Sequence, residues 1–273
     1  MLIRHGNTDD NPWGVSFMDM LHRSNMSHLF HLGPDLERQG LVLSGNRYVS
    51  ATERFLPLYE GKMVTLFDHR AADVVRSATA GKRQDQPRYP SDEEKRDPNR
   101  CAMPIYWVDE KEVKSILPPR SAILGICVAT SPTNERTVLS TLIPWAAVAN
   151  NFTLLLTTDA HDSVLLQANL GSLVFDYAAR QKIGGTALNQ FYVKQFPVLE
   201  PSTYNSPVRA FSESEELHKW VVPRVAELVG KRLRHGVLGL RKQDFLARHF
   251  SGTPRGARQY AELDALFFPP LRS

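Results

Sequence analysis

Residues 161–197, HDSVLLQANLGSLVFDYAARQKIGGTALNQFYVKQFP, constrain the fold more than any other stretch of this chain. Leu166, Leu170, Leu173 and Tyr177 recur at helical spacing, which predicts one amphipathic helix with an apolar face. Asp159 or Asp162 is placed to cap its first turn. Arg180 and Lys182 fall in its last turn, where cations suit the helix dipole. Gly184 and Gly185 then stop the helix, since glycine adopts the left-handed conformation beyond a C-terminus without steric cost. Beyond them, Tyr192, Lys194 and Phe196 alternate with Phe191, Val193 and Gln195, the pattern of a short half-buried strand.

The rest of the chain divides by composition. Residues 15–32 read as helical, with Phe17, Met20, Leu21 and Leu29 as apolar positions. Within 47–80 the spacing predicts a helix, or a helix and a strand, buried through Leu58, Met63 and Phe67. Residues 81–104 are polar and proline-rich without periodicity, so they are expected to form an exposed loop or insertion. Strands are predicted over Ile123 to Ala129, Thr137 to Ile143 and Phe152 to Leu156, which are rich in β-branched and large apolar residues. From Ser212, with Glu215 three positions on as a capping box, the chain turns helical and basic, and Pro223 is expected to interrupt or kink that helix. The fold class is therefore α+β: a mixed strand–helix module over 1–203 and a helical, basic portion over 204–273, which reads as truncated.

Composition excludes several classes. No apolar run is long enough for a membrane span, and the first residues lack the basic-then-apolar pattern of a secretory signal. Two cysteines, Cys101 and Cys127, build neither a disulfide framework nor a zinc site, which favours a cytoplasmic protein with reduced thiols. Residues 204–273 hold twelve Lys and Arg against seven Asp and Glu, whereas 1–203 are close to neutral. A basic part beside a neutral one suits phosphate contacts from one face, and equally a solvated helical surface.

Four ordered segments carry a resemblance. Asn11-Pro12-Trp13-Gly14 with Ser16-Phe17 and Ser27-His28-Leu29-Phe30 comes first, then residues 57–70, PLYEGKMVTLFDHR. SPTNERT at 131–137 and the 161–197 run follow, with a weaker echo at 258–268, RQYAELDALFF. Together they resemble the target-recognition region of large adenine-specific DNA methyltransferases: the fused restriction–modification enzymes of type IIG and their relatives in the BREX and DISARM phage-defence systems. The resemblance implies a module that grips double-stranded DNA and delivers an adenine to a methyltransferase domain. That domain would need a glycine-rich turn for S-adenosylmethionine and an Asn/Asp-Pro-Pro-Tyr/Phe loop for the flipped base. Neither motif occurs in these 273 residues. The Asn11-Pro12 run looks like the second, but Trp13 stands where its second proline belongs, and in the family this stretch lies downstream of the true loop. No cofactor is therefore expected on this chain itself; S-adenosylmethionine is implied for the missing catalytic domain, with truncation, a frameshift or a split gene with a separate catalytic chain each accounting for its absence.

The candidate DNA-binding residues are Lys62, His69, Arg70, Arg136, Arg180, Lys182, Gly184, Gly185, Thr186 and Asn189. Asp68, His69 and Arg70 are adjacent, and adjacent side chains point different ways, so a structural hydrogen-bonding role comes before DNA contact. Arg136 suits a bidentate bond to guanine or phosphate, while Glu135 and Arg136 equally suit fastening their own loop. The Arg180 to Asn189 run is a basic, glycine-flexible helix end that a phosphodiester can approach closely. His161, with Asp159 and Asp162, has residue types for a metal, but its place at a helix start favours capping.

Two competing readings remain. Arg4-His5-Gly6-Asn7-Thr8 is similar to the R-H-G-x-T signature of histidine phosphatases, with His5 as nucleophile, His235 as partner and an echo at Arg76 to Ala80. Against it, only three residues precede the motif, too few for the strand that must present the nucleophile. The other is a non-functional gene fragment.

Overall fold

A computed structural model describes residues 2–3, 11–77, 85–97, 99–207 and 216–230. Its architecture is α+β. In chain order come β1 (Ser16–Met18), α1 (Arg23–Met26), β2 (His31–Leu32), α2 (Gly33–Arg38), β3 (Val42–Ser44), β4 (Arg47–Val49) and β5 (Arg54–Tyr59). A 3₁₀ turn over Gly61–Met63 leads to β6 (Asp73–Arg76), β7 (Asp85–Arg88), α3 (Asp92–Arg96), β8 (Tyr106–Asp109) and α4 (Glu110–Ile116). Then follow β9 (Ile123–Cys127), β10 (Ser140–Ile143), β11 (Ala147–Val148) and β12 (Phe152–Leu156). The helices α5 (Ala160–Leu170), α6 (Leu173–Lys182), α7 (Gln190–Lys194), α8 (Pro201–Tyr204) and α9 (Leu217–Gly230) complete the described chain.

A four-stranded antiparallel sheet, β1-β12-β9-β10, is the centre of the molecule. Successive residues of a strand point to opposite faces, and in β9 each face meets a core. Leu124 and Ile126 join Leu166, Leu170, Val164 and Phe175 beneath α5 and α6. Ile123 and Cys127 join Leu56, Leu58, Val108 and Met63 on the other side. A sheet buried on both faces favours apolar residues throughout, which is why ILGIC and FTLLL are apolar apart from Thr153, whose hydroxyl donates to Asp19 at 2.6 Å. Gly125 leaves room for a neighbour in its own sheet: a Cβ there would meet the Phe152 ring of β12. The second sheet runs β2-β8-β5-β4-β3, with β11 pairing parallel to β5, and β6 with β7 forms a separate hairpin.

Several expectations need correction. Residues 15–32 are not one helix; they give β1, the single turn of α1, a 3₁₀ turn and β2. The 161–182 run is two helices, because Gly171 closes α5 and the Ser172 hydroxyl accepts the Phe175 N–H at 3.1 Å as the N-cap of α6. That local cap breaks the long periodicity, so Leu166 and Leu170 are buried while Leu173 and Tyr177 stand 76% and 66% exposed. Asp159 is the residue that caps α5, accepting the Asp162 N–H at 3.0 Å. Gly184 and Gly185 do not take positive φ; the chain leaves α6 through an extended Ile183.

Residues 191–194 are helical, within α7, and 195–196 turn rather than extend, with Val193 and Phe196 both buried in the core under α6. The polar segment 81–104 is no bare loop either: it carries β7 and α3, the latter with a complete Ser91–Glu94 capping box. Helix α9 runs on through Pro223, and its Val222, Val225 and Val229 share the core of α5. The Ser212–Glu215 capping box, and everything after Gly230, lies outside the described residues.

Candidate nucleic-acid interface

The first motif is a turn. The Gly14 N–H reaches the Asn11 carbonyl at 2.9 Å, and Gly14 sits at φ +56, where a side chain would be strained. The Asn11 amide bonds the Val15 backbone in both directions, at 2.9 and 3.1 Å, so it fastens this turn. Trp13 is buried and donates to the Leu199 carbonyl at 3.0 Å, tying the turn to the chain just before α8.

Asp68, His69 and Arg70 lie in the turn after the 3₁₀ segment, closed by paired bonds between the backbones of Thr65 and Asp68. Asp68 accepts the Arg70 N–H at 2.9 Å. Arg70 and Arg100 exchange guanidinium-to-carbonyl bonds, and Arg100 also pairs with Asp73 at 2.7 Å. Asp73 further accepts from Arg88 and from the Met103 N–H. His69 is 1% exposed, its ring tilted against Tyr59. A side chain so buried is not presented to DNA, and a structural role fits its position.

The third and fourth motifs meet at one carboxylate. Asp176, on the inner face of α6, accepts the N–H groups of Thr137 and Val138, each at 2.8 Å, through Oδ1. Arg180 donates to its Oδ2 at 2.8 Å, and Arg136 lies 3.7 Å from Oδ1. Burial alone would raise the Asp176 pKa, but the Val138 N–H, Arg180 and Arg136 outweigh it and hold the carboxyl below its usual range. Further bonds hold both arginines in place: Arg136 donates through Nη2 to the Gly171 carbonyl at 2.7 Å, although its buried Nε makes no hydrogen bond, and Arg180 donates to the carbonyls of Pro132 and Glu135. Arg136 and Arg180 thus lock the 131–137 loop onto α6. For Arg136 the fastening role foreseen beside DNA contact is the one observed.

Lys62 opens onto a cleft of about 1100 Å³. Its floor is the 3₁₀ turn at Gly61, pinned by Asn151, whose Oδ1 accepts the Gly61 N–H at 2.9 Å. The far wall belongs to β7 and α3, with Tyr89 and Lys95. Four cationic residues, Lys62, Arg70, Lys95 and Arg100, line it against two acidic ones, Asp68 and Asp85. Lys62 reaches Glu60 at 3.1 Å and the Asp85 carbonyl at 3.0 Å. Tyr89 is 72% exposed at the cleft. Neither Tyr89 nor Lys95 was singled out from sequence, because 81–104 read as featureless; the capping box at Ser91 and Glu94 was the legible sign of structure there.

Lys182, the last residue of α6, is exposed, as are Gly184, Gly185, Thr186 and Asn189 beyond it. Their chain then lies along β9: Thr130 N–H bonds the Thr186 carbonyl at 3.1 Å, and Leu188 N–H bonds the Val128 carbonyl at 2.7 Å. Ala129, which faces Ala187 in this pairing, lines the cleft. Two candidate groups far apart in sequence, Lys62 with Arg70 and the 182–189 run, therefore flank the same strand extension.

Elsewhere, ligand atoms of Asp159, His161 and Asp162 lie within 4.8 Å of one another, with Asp159 engaged in its cap. His5 and His235 lie outside the described residues. Cys101 and Cys127 are free thiols, and among the described residues no helix is long and apolar enough to cross a membrane. No family model, curated protein or solved structure matches the chain.

Proposed function

We propose that this chain is a DNA-binding target-recognition module of a site-specific adenine methyltransferase, serving restriction–modification or phage defence. The observation that carries the reading is the meeting of the cleft beside Lys62 with the exposed 182–189 run across Ala129. It supplies cations and exposed backbone on neighbouring surfaces, while the ordered motifs of the sequence support the family reading. Phosphate contacts from Lys182, Lys62 and Lys95 would give affinity; they would also give its dependence on salt. Arg136 and Arg180 serve the module by holding its loop in place. Chemistry belongs to a catalytic domain carrying S-adenosylmethionine, because both motifs for that chemistry are absent from these residues.

The test is direct. The purified chain should bind mixed-sequence duplex in fluorescence anisotropy, with log affinity falling linearly against log salt. It should neither take up S-adenosylmethionine in calorimetry nor transfer a tritiated methyl group. Methyl transfer by the chain alone would overturn the assignment, and so would a duplex affinity indistinguishable from that of a neutral control protein.

A further inference from the structure

The cleft has features that a groove for paired DNA does not need. Tyr89 projects a largely exposed ring at its wall, and among the described residues that ring has no aromatic or hydrogen-bonding partner. An exposed aromatic with nothing against it exposes apolar area to water, and a planar ligand would cover that area. Beside it, Lys95 is exposed and, among the described residues, pairs only with the more exposed Asp92, a contact worth little in water. Lys62, also on the lining, is held by Glu60 and by the Asp85 carbonyl of β7, which leaves an ammonium donor to spare. The volume of about 1100 Å³ exceeds what one nucleotide requires, being at the upper end of small-ligand sites.

A flat apolar ring, two cations and room for one planar group match a single unpaired nucleotide, its base stacked on an aromatic and its phosphate near the lysines. We propose that this cleft receives one extrahelical nucleotide of a bound DNA strand, with its base on Tyr89 and its phosphates facing Lys62 and Lys95. The proposal rests on the nucleic-acid reading above and names the element of DNA that this part of the surface takes. Tyr89 is the specificity-determining residue for an unpaired base, and the lysines serve any phosphate.

The experiment compares three labelled duplexes in anisotropy with the full chain: one fully paired, one with a single bulged nucleotide, and one whose bulge is abasic. The bulged duplex should bind roughly tenfold more tightly than the paired one, the scale of one stacked base, and the abasic bulge should lose that gain. Tyr89→Ala should erase the preference while leaving the paired duplex and the thermal melt unchanged, and Tyr89→Phe should restore it. Lys62→Gln with Lys95→Gln should weaken all three duplexes and flatten their salt dependence. Equal binding of the three duplexes by the native chain overturns the inference and leaves duplex recognition standing. A bulge preference that survives Tyr89→Ala overturns it too, as the mark of a phosphate groove. Bulge binding without any binding of the paired duplex overturns the duplex reading instead.

Discussion

The Phe67 ring occupies the space that a side chain on Gly171 would need. A Cβ at Gly171 would lie 2.8 Å from Cε2 of Phe67 and closer still to Cζ. Phe67 reaches this position from a left-handed backbone, at φ 59, which is uncommon for an aromatic residue. The Phe67 N–H is anchored to the Ser140 carbonyl at 3.1 Å, and the Gly171 carbonyl accepts Arg136. Three of the sequence motifs are therefore joined at one glycine.

Gly171→Ala should accordingly destabilise the protein by about 1–3 kcal/mol, the usual cost of overpacking a tight site. A methyl group between α5 and α6 can be admitted only if Phe67 gives way. Combining it with Phe67→Leu should recover part of the loss, so the two changes will not add. Thermal melts of the two single variants and the double variant measure the coupling. Strict additivity would show that the ring moves aside freely.

At Asp176 the expectation concerns charge. Asp176→Asn keeps an oxygen for the Thr137 and Val138 N–H groups but leaves Arg136 and Arg180 without their carboxylate. Breaking such a buried pair costs about 3–5 kcal/mol, and the partial exposure of Arg180 places this one at the lower end. The native carboxyl titrates below its unfolded value, so it binds fewer protons folded than unfolded. Its stabilisation is present above the unfolded pKa of about 4 and fades as pH falls through the lower folded value. Urea midpoints of the native chain should drop across that acid window, and those of Asp176→Asn should drop less.

Sequence made three strands of the central sheet legible, β9, β10 and β12, but not β1, and the helices beside it only partly so. β9 and β12 lie between two cores, so their residues are apolar but for Thr153, whose hydroxyl is satisfied by Asp19. The 161–182 run was harder, because Leu173 and Tyr177 continue the stripe of Leu166 and Leu170 although α6 turns them to solvent. A serine cap after Gly171 decided the break, and capping acts within one turn where periodicity averages over several. At 191–196 both alternating sets contain apolar side chains, so alternation did not discriminate strand from helix. The cleft was hidden for a different reason: its lining comes from the 61–71 turns, β7, α3 and Ala129 just past β9, and no single segment reveals that they come together.

The two thiols should differ in reactivity. Burial pushes Cys127 up to about 12, and its Sγ rests against the Gly61 carbonyl at 3.3 Å. Burial also raises Cys101, partly offset by Arg70 and Arg100, but its side chain is only partly covered. Attack needs the thiolate and an open path. A thiol reagent at pH 8 should therefore modify Cys101 slowly in the native protein and Cys127 only after unfolding, each site being read by peptide mass. Equal native labelling of both would contradict the packing of β9.

Arg180 and Lys182 are two residues apart yet should answer differently to removal. Arg180 has its guanidinium on Asp176 and on the Pro132 and Glu135 carbonyls, so Arg180→Ala releases a whole loop. A loss of about 1–3 kcal/mol follows from the carbonyls and carboxylate left without their donor. Its salt dependence of duplex binding should stay as in the native chain, because an arginine already committed to the fold releases no counterions from DNA. Lys182 is exposed in the last turn of α6 beside the glycine run. Lys182→Ala should leave the melt within about 0.5 kcal/mol, as for other surface changes. If Lys182 meets a phosphate, the slope of log affinity against log salt should fall by about 0.9. A melt and an anisotropy salt series on each variant give four numbers. A lowered slope in Arg180→Ala with an unchanged melt would mean that this arginine leaves Asp176 for DNA, and that the loop lock is broken in the complex.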